Sequence, residues 1–207
     1  MGPQGPNSAR IGRWYVLNEG HFRRFFAHRK IGSGLAGITC AMAGAESVYL
    51  SDYPSPPILE TIKVNVRNNL DADLRRRTTV QGHKWGETTD EFSHSHAGYF
   101  TRILCADCIW MLDQHANMLS SLQHLLAPTD DSRIWVVAGF HTGRHIVVMF
   151  FEAAKQAGFE CERIWEQDHE GNTQPWRLNP WDNRDDIEER RKWLVIASLK
   201  RSSPPTS

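Results

Sequence analysis

The sequence lacks net charge: its 207 residues hold 24 Lys and Arg against 24 Asp and Glu. That balance gives no broad electrostatic reason to seek a nucleic acid or an anionic membrane as partner. The local basic runs, "RRR" at 75–77 and "ERRK" at 189–192, are expected to be solvated faces. Cysteine is scarce too. Four cysteines in this length do not make a disulfide scaffold. Cys105 and Cys108 form one C-x-x-C, but no second pair sits nearby to complete a four-ligand zinc site. Both are expected to be reduced core residues, and no metal is expected. Long apolar runs are absent as well. The longest, "IVVMFF", is far too short to span a bilayer. The opening "MGPQGPNSAR" has no apolar core of a secretory signal, and Pro6 stands where a myristoylation motif needs Ser or Thr. A cytoplasmic chain without a membrane or nucleic-acid partner is the expectation.

What the sequence does have begins at residues 30–53, "KIGSGLAGITCAMAGAESVYLSDY". Gly32, Gly34 and Gly37 spell G-x-G-x-x-G, and Asp52 follows about one strand later. Glycines in such a turn let backbone N–H groups approach a polar or charged ligand. A carboxylate ending the next strand can accept both hydroxyls of a ribose. The motif is short, and glycines also serve plain tight turns, so the rest of the chain has to decide.

Periodicity predicts helices over 38–45, 56–70, 115–128 and 144–159 and strands over 47–53, 78–85, 100–110, 133–140, 160–167 and 191–201. This alternation implies an α/β fold with a mostly parallel sheet covered by helices. The last two strands have no crossover helix between them and are expected to pair antiparallel. Residues 1–21 read as an N-terminal extension, 22–201 as the folded domain and 202–207 as a loose tail.

In a doubly wound sheet, ligands sit outside the carboxyl ends of the strands near the point where strand order reverses. Several candidates fall at such ends. Gly32 and Gly34 lie at the first turn and Asp52 ends the second strand. Trp85 and Gly86 end the third, where an indole could stack on an adenine. Asp107 ends the fourth, and Phe140 and His141 the fifth. Each has a plainer alternative: Asp52 could open a turn before Pro54, and Trp85 could be core. His94 and His96 in "FSHSHAG" have no carboxylate or Cys cluster at ligand spacing and are expected in an exposed loop. A short-chain hydride-transfer site would commonly show Tyr with Lys four residues later. None of Tyr15, Tyr49, Tyr53 and Tyr99 has that Lys, which disfavours an NAD-dependent oxidoreductase.

The segments "GSGLAGITCAMAGAESVYLSDYP", "GHKWGE", "ILCADCIWMLDQHANMLSSLQHLLAP" and "WVVAGFHTGR...FFEAAKQAGFECERIWE" together resemble fungal nicotinamide N-methyltransferase-like proteins. These belong to the seven-β-strand, lysine-methyltransferase-like family. The resemblance runs over roughly residues 30 to 201. It implies a Rossmann-like seven-stranded class I methyltransferase sheet with an antiparallel last strand, and S-adenosyl-L-methionine as methyl donor. By position it implies donor-binding roles for Gly32, Gly34, Asp52, Trp85 and Ala106. Asp107 and Trp110, from the acid-x-x-aromatic "DCIW", would stand near the target nitrogen. Family members carry a strand ending in Glu-Leu-Gly-x-Gly before the glycine loop. Here His28 stands near the expected Glu and Lys30 replaces the first glycine, so the first strand is expected to be atypical or truncated: either "RRFFAH" (23–28) still forms it, or the chain is truncated on its N-terminal side. The implied acceptor is a protein lysine or N-terminus or a small amine, handled by a monomer. A catalytically impaired binding or regulatory protein of the same fold is the alternative.

Overall fold

β-Branched and aromatic residues stand on both faces of each expected strand, and only a sheet covered on both sides buries them. The computed structural model, which describes residues 13–17, 34–177 and 187–202, shows such a sheet. Its strands are β1 (Arg13–Leu17), β2 (Ser47–Asp52), β3 (Thr78–Gly82), β4 (Arg102–Ala106), β5 (Arg133–Gly139), β6 (Phe159–Asp168), β7 (Thr173–Pro175) and β8 (Trp193–Arg201). They lie in the order β3-β2-β1-β4-β5-β8-β6-β7. The pairs from β3 to β5 are parallel, and β8 runs antiparallel to both β5 and β6. This is the α/β, Rossmann-like arrangement expected from the sequence, with its antiparallel closing strand.

Two hydrophobic clusters sandwich the sheet. Successive strand residues point to opposite faces. Val48 and Leu50 accordingly join one cluster, with α1 (Leu35–Met42) and α2 (Pro56–Asn69), while Tyr49 between them packs against the other. That second cluster is built on α5 (His115–Leu125) and α6 (Arg144–Gln156). Three short α-helices, α3 (Ala72–Arg76), α4 (Glu91–Ser95) and α7 (Ile187–Arg190), and a 3-10 turn at Leu112–Gln114 complete the described chain. Asp71 and Asp90 cap α3 and α4, each accepting the backbone amide three residues on.

Four expectations need correction. The first strand is Arg13–Leu17, between β2 and β4, and not "RRFFAH", which lies outside the described residues. The sheet therefore takes in part of the stretch read as an extension. Eight strands are present rather than seven, because β7 forms a short antiparallel hairpin with β6 inside the segment expected as a loop. Strands three and four stop at Gly82 and Ala106, which leaves Trp85 and Trp110 in the loops beyond. His94 lies on α4, and His96 directly after it packs against the rings of both Phe92 and Phe100. The aromatic neighbours give that histidine a packing role.

The third glycine of the motif sets the distance between α1 and the sheet. A Cβ on Gly37 would stand 2.1 Å from Cδ2 of the fully buried Leu50. Leu50 is fully buried, so Gly37→Val overpacks the interface. The expected cost is about 1–3 kcal/mol, measured as a lower midpoint in urea denaturation. An unchanged midpoint would show that α1 does not rest on β2.

Candidate functional site

The carboxyl ends of β1 to β5 share one edge because these strands are parallel. The strand order reverses at β1, between β2 and β4. Helices and loops leaving neighbouring strands diverge there, which opens a crevice. Gly34 stands at the start of α1 with φ 69°, in the left-handed region, and a Cβ there would meet Ile62 Cγ2 at 3.0 Å. Both the backbone angle and the space select glycine. Gly32 lies outside the described residues.

Asp52 is the last residue of β2 and is only 2 % exposed. Its Oδ1 accepts the Tyr53 amide at 2.7 Å. It is in register with Gly82 on β3, where a Cβ would stand 3.0 Å from Pro54. The loop leaving β3 is tied down by the hydroxyls of Ser93 and Ser121. Ser121 on α5 accepts the Gly86 amide at 2.9 Å and lies 2.9 Å from His83 Nε2. Gly86 has φ 83°, so this turn again needs glycine. Trp85 between them is half-buried and packs against the larger core cluster. Its core role and its place at the ligand edge therefore coexist.

The end of β4 holds the most unusual backbone of the described chain. Asp107 is the one non-glycine there with positive φ, 54°. Asp tolerates this region better than most residues, and such conformations cluster at functional sites. The twist carries its side chain toward the end of β5. Asp107 Oδ1 accepts the Gly139 amide at 3.1 Å, and Oδ2 lies 3.5 Å from His141 Nε2. Gly139 makes this possible, because a Cβ on it would stand 2.6 Å from the same His141 nitrogen. Both Asp107 and His141 are about half-exposed at the edge. Ala106, the last residue of β4, and Trp110, three residues past Asp107, are half-buried.

The structure thus brings Asp107 together with Gly139 and His141, and sets Asp52 two strands away across β1. Adjacent strands are about 4.8 Å apart, so the two carboxylates flank a gap of roughly 10 Å. A groove along the β6–β7 edge, lined by residues from Glu162 to Trp165 and Thr173 to Pro175, contains none of the candidate residues.

Sequence reasoning passed over one further arrangement beside this edge. Arg144, in the first turn of α6, forks onto Glu166 of β6 at 2.6 and 3.1 Å, with both side chains buried. An Arg opening an amphipathic helix and a Glu inside an apolar strand were the available signals. A separation of 22 positions in the sequence hid their pairing.

Comparison with known proteins gives a family and a fold. A family model described as "Lysine methyltransferase" matches residues 31–157. The "Protein N-terminal and lysine N-methyltransferase efm7" of Schizosaccharomyces pombe is 26% identical over 144 residues, covering 66% of this chain and 55% of that protein. The chain spans about half the length of the curated relatives it matches. Among solved structures, the glycopeptide N-methyltransferase MtfA complexed with sinefungin superposes with a TM-score of 0.62 at 12% identity, covering 93% of this chain and 81% of that one. The [4+2]-cyclase SpnF also reaches 0.62, at 9% identity over 93% and 76%. The fold is shared, and a shared fold hosts more than one chemistry.

Burial holds both His83 and His115 below the usual histidine value of 6.5, that is, in the neutral form. Below about pH 6.5 the unfolded chain then takes up protons that the folded chain resists. Their contribution to stability is complete above that pH and declines as pH falls below it, by up to about 1.4 kcal/mol per pH unit for each proton. Urea midpoints are expected to drop between about pH 7 and about pH 5, with a shallower slope for His83→Asn. Equal slopes in both proteins would contradict the neutral buried ring.

Proposed function

The chain belongs to the lysine methyltransferase family, and on that premise we propose that it methylates an amine nitrogen of a protein, a lysine side chain or an N-terminus, using S-adenosylmethionine. The observation that carries this reading is Asp107. A carboxylate in a left-handed turn at the end of β4 is held by the Gly139 amide and faces His141, at the edge where the strand order reverses.

The residues present fit the donor. Asp52 offers a buried carboxylate at the end of β2, suited to two vicinal hydroxyls. Gly34 opens the start of α1 without a side chain in the way. Trp85 presents an indole at the next strand end, and Ala106 adds little bulk beside the reaction edge. When bound, S-adenosylmethionine would supply an electrophilic methyl group to which the amine nitrogen bonds in line as the C–S bond breaks, with S-adenosylhomocysteine as the leaving group. The work left to the protein is positioning and the exclusion of water. Asp107 orients the acceptor amine through a hydrogen bond and accepts its proton, directly or through water. Trp110 walls the acceptor side, where an indole face favours a cationic or aromatic group.

A protein acceptor is favoured because the curated relatives are named as protein N-terminal and lysine methyltransferases. The narrower likeness to nicotinamide N-methyltransferase-like proteins makes a small amine the second reading. Among the described residues no helix is long and apolar enough to cross a membrane, and a cytoplasmic monomer belongs to the same proposal.

Incubating the chain with label-bearing S-adenosylmethionine and cell extract, split into protein and small-molecule fractions, separates the two acceptor classes. Label is expected in protein. Asp107→Ala should lose at least about 100-fold in transfer rate while keeping donor affinity. Asp52→Ala should weaken donor binding about tenfold or more, by equilibrium dialysis. Full transfer by the Asp107 variant would remove Asp107 from the mechanism.

A further inference from the structure

The loop from Gly139 to Gly143 makes two contacts to the Asp107 carboxylate, through the Gly139 amide and the His141 ring. The residue between them, Phe140, turns the other way and is only 3 % exposed. Its ring lies under the Arg144 guanidinium at 4.2 Å and is stacked on Trp176 at 6.2 Å, with 19° between the planes. Trp176 is braced in turn by the edge of Phe151 at 5.7 Å. The segment bearing Trp176 follows β7 and is anchored by Glu166. Besides the Arg144 fork, that carboxylate accepts Gln174 Nε2 at 3.0 Å and the Arg177 amide at 3.2 Å. A buried carboxylate with four donors is costly to disturb. The tail of the β6–β7 hairpin is therefore bound to the loop that faces Asp107.

We propose that this tail is a positioning clamp for the reaction edge. Trp176 and Arg144 hold Phe140, and Phe140 sets the backbone that presents the Gly139 amide and the His141 ring to Asp107. Trp176, Arg144 and Phe140 are positioning residues; Asp107 is the group they serve. The catalytic meaning of the clamp rests on the methyltransferase reading, whereas the coupling from Trp176 to His141 does not.

The test follows the His141 imidazole by nuclear magnetic resonance during a pH titration of the full chain. Among the described residues, the charged and titratable groups next to this loop include Asp107 after β4, Arg144 and His145 on α6, Glu166 on β6, Arg177 after β7 and Arg190 on α7. A nearby carboxylate favours imidazolium, so Asp107→Asn is expected to lower the His141 midpoint. Trp176→Leu should lower it in the same sense by releasing the loop, and Trp176→Phe, which keeps a stacking ring, should restore it. Gln174→Ala, which removes one anchor at a partly exposed position, should give a smaller shift of the same sign. An unchanged His141 midpoint in both Trp176→Leu and Gln174→Ala overturns the clamp. In the transfer assay, Trp176→Leu should lower kcat about tenfold with donor affinity unchanged. If the titration shifts as expected but the wild-type chain transfers no methyl group, the clamp stands and the methyltransferase reading falls.

Discussion

The architecture depends on five residues pairing on both sides. Arg13–Leu17 hydrogen-bonds in parallel to β2 through one edge and to β4 through the other. Without β1, β3 and β2 would form a separate two-stranded ribbon, and an isolated pair is at best marginally stable. With it, one continuous sheet forms, with α1 in the cluster on one face and α5 in the cluster on the other. The reversal creates the crevice, and the crevice is bordered by Asp52, Gly34 and Asp107.

What surrounds the crevice is graded from rigid to exposed. Asp52 lies at the end of a fully paired strand and is buried, as suits a group that recognises a fixed part of a ligand. Asp107 and His141 are half-exposed at the rim, as suits groups that must admit a second molecule. The glycines divide their work. Gly37 lets a helix close on Leu50, Gly34 and Gly86 adopt turns with positive φ, and Gly139 clears room for an imidazole. Behind the rim, the Arg144–Glu166 pair fixes a loop from the far side of the sheet. A buried ion pair contributes little net stability compared with apolar packing of the same volume. Its directional fork is better explained by the geometry it imposes.

Much of this was legible in residue order. Alternating apolar runs and helical stretches disclosed the α/β sheet, and the missing crossover between the last strands disclosed their antiparallel pairing. Local patterns could not reveal that β8 inserts between β5 and β6, because that choice is made by residues far apart in the chain. The first strand was misplaced for a related reason. βα connections usually take a few residues, which points to the stretch just before the glycine loop, yet "RWYVL", farther upstream, carries the pairing. The correction matters for the expected glutamate. The strand ends at Leu17, and the residues next in sequence are Asn18, Glu19 and Gly20. The inference that an acid is missing after the first strand rested on His28 and loses its premise. Asp52 and Asp107 were found by their places at strand ends. Gly139 and the Arg144–Glu166 pair were not, because their meaning lies in contacts across the sheet.

The central claim is that the crevice at β1 receives a methyl donor and not a dinucleotide, although a G-x-G-x-x-G turn can serve either. Calorimetric titration of the chain with S-adenosylmethionine and, separately, with NAD measures this directly. Saturable one-to-one heat with S-adenosylmethionine and none with NAD is the result the account predicts. Binding of NAD with no response to S-adenosylmethionine would contradict it.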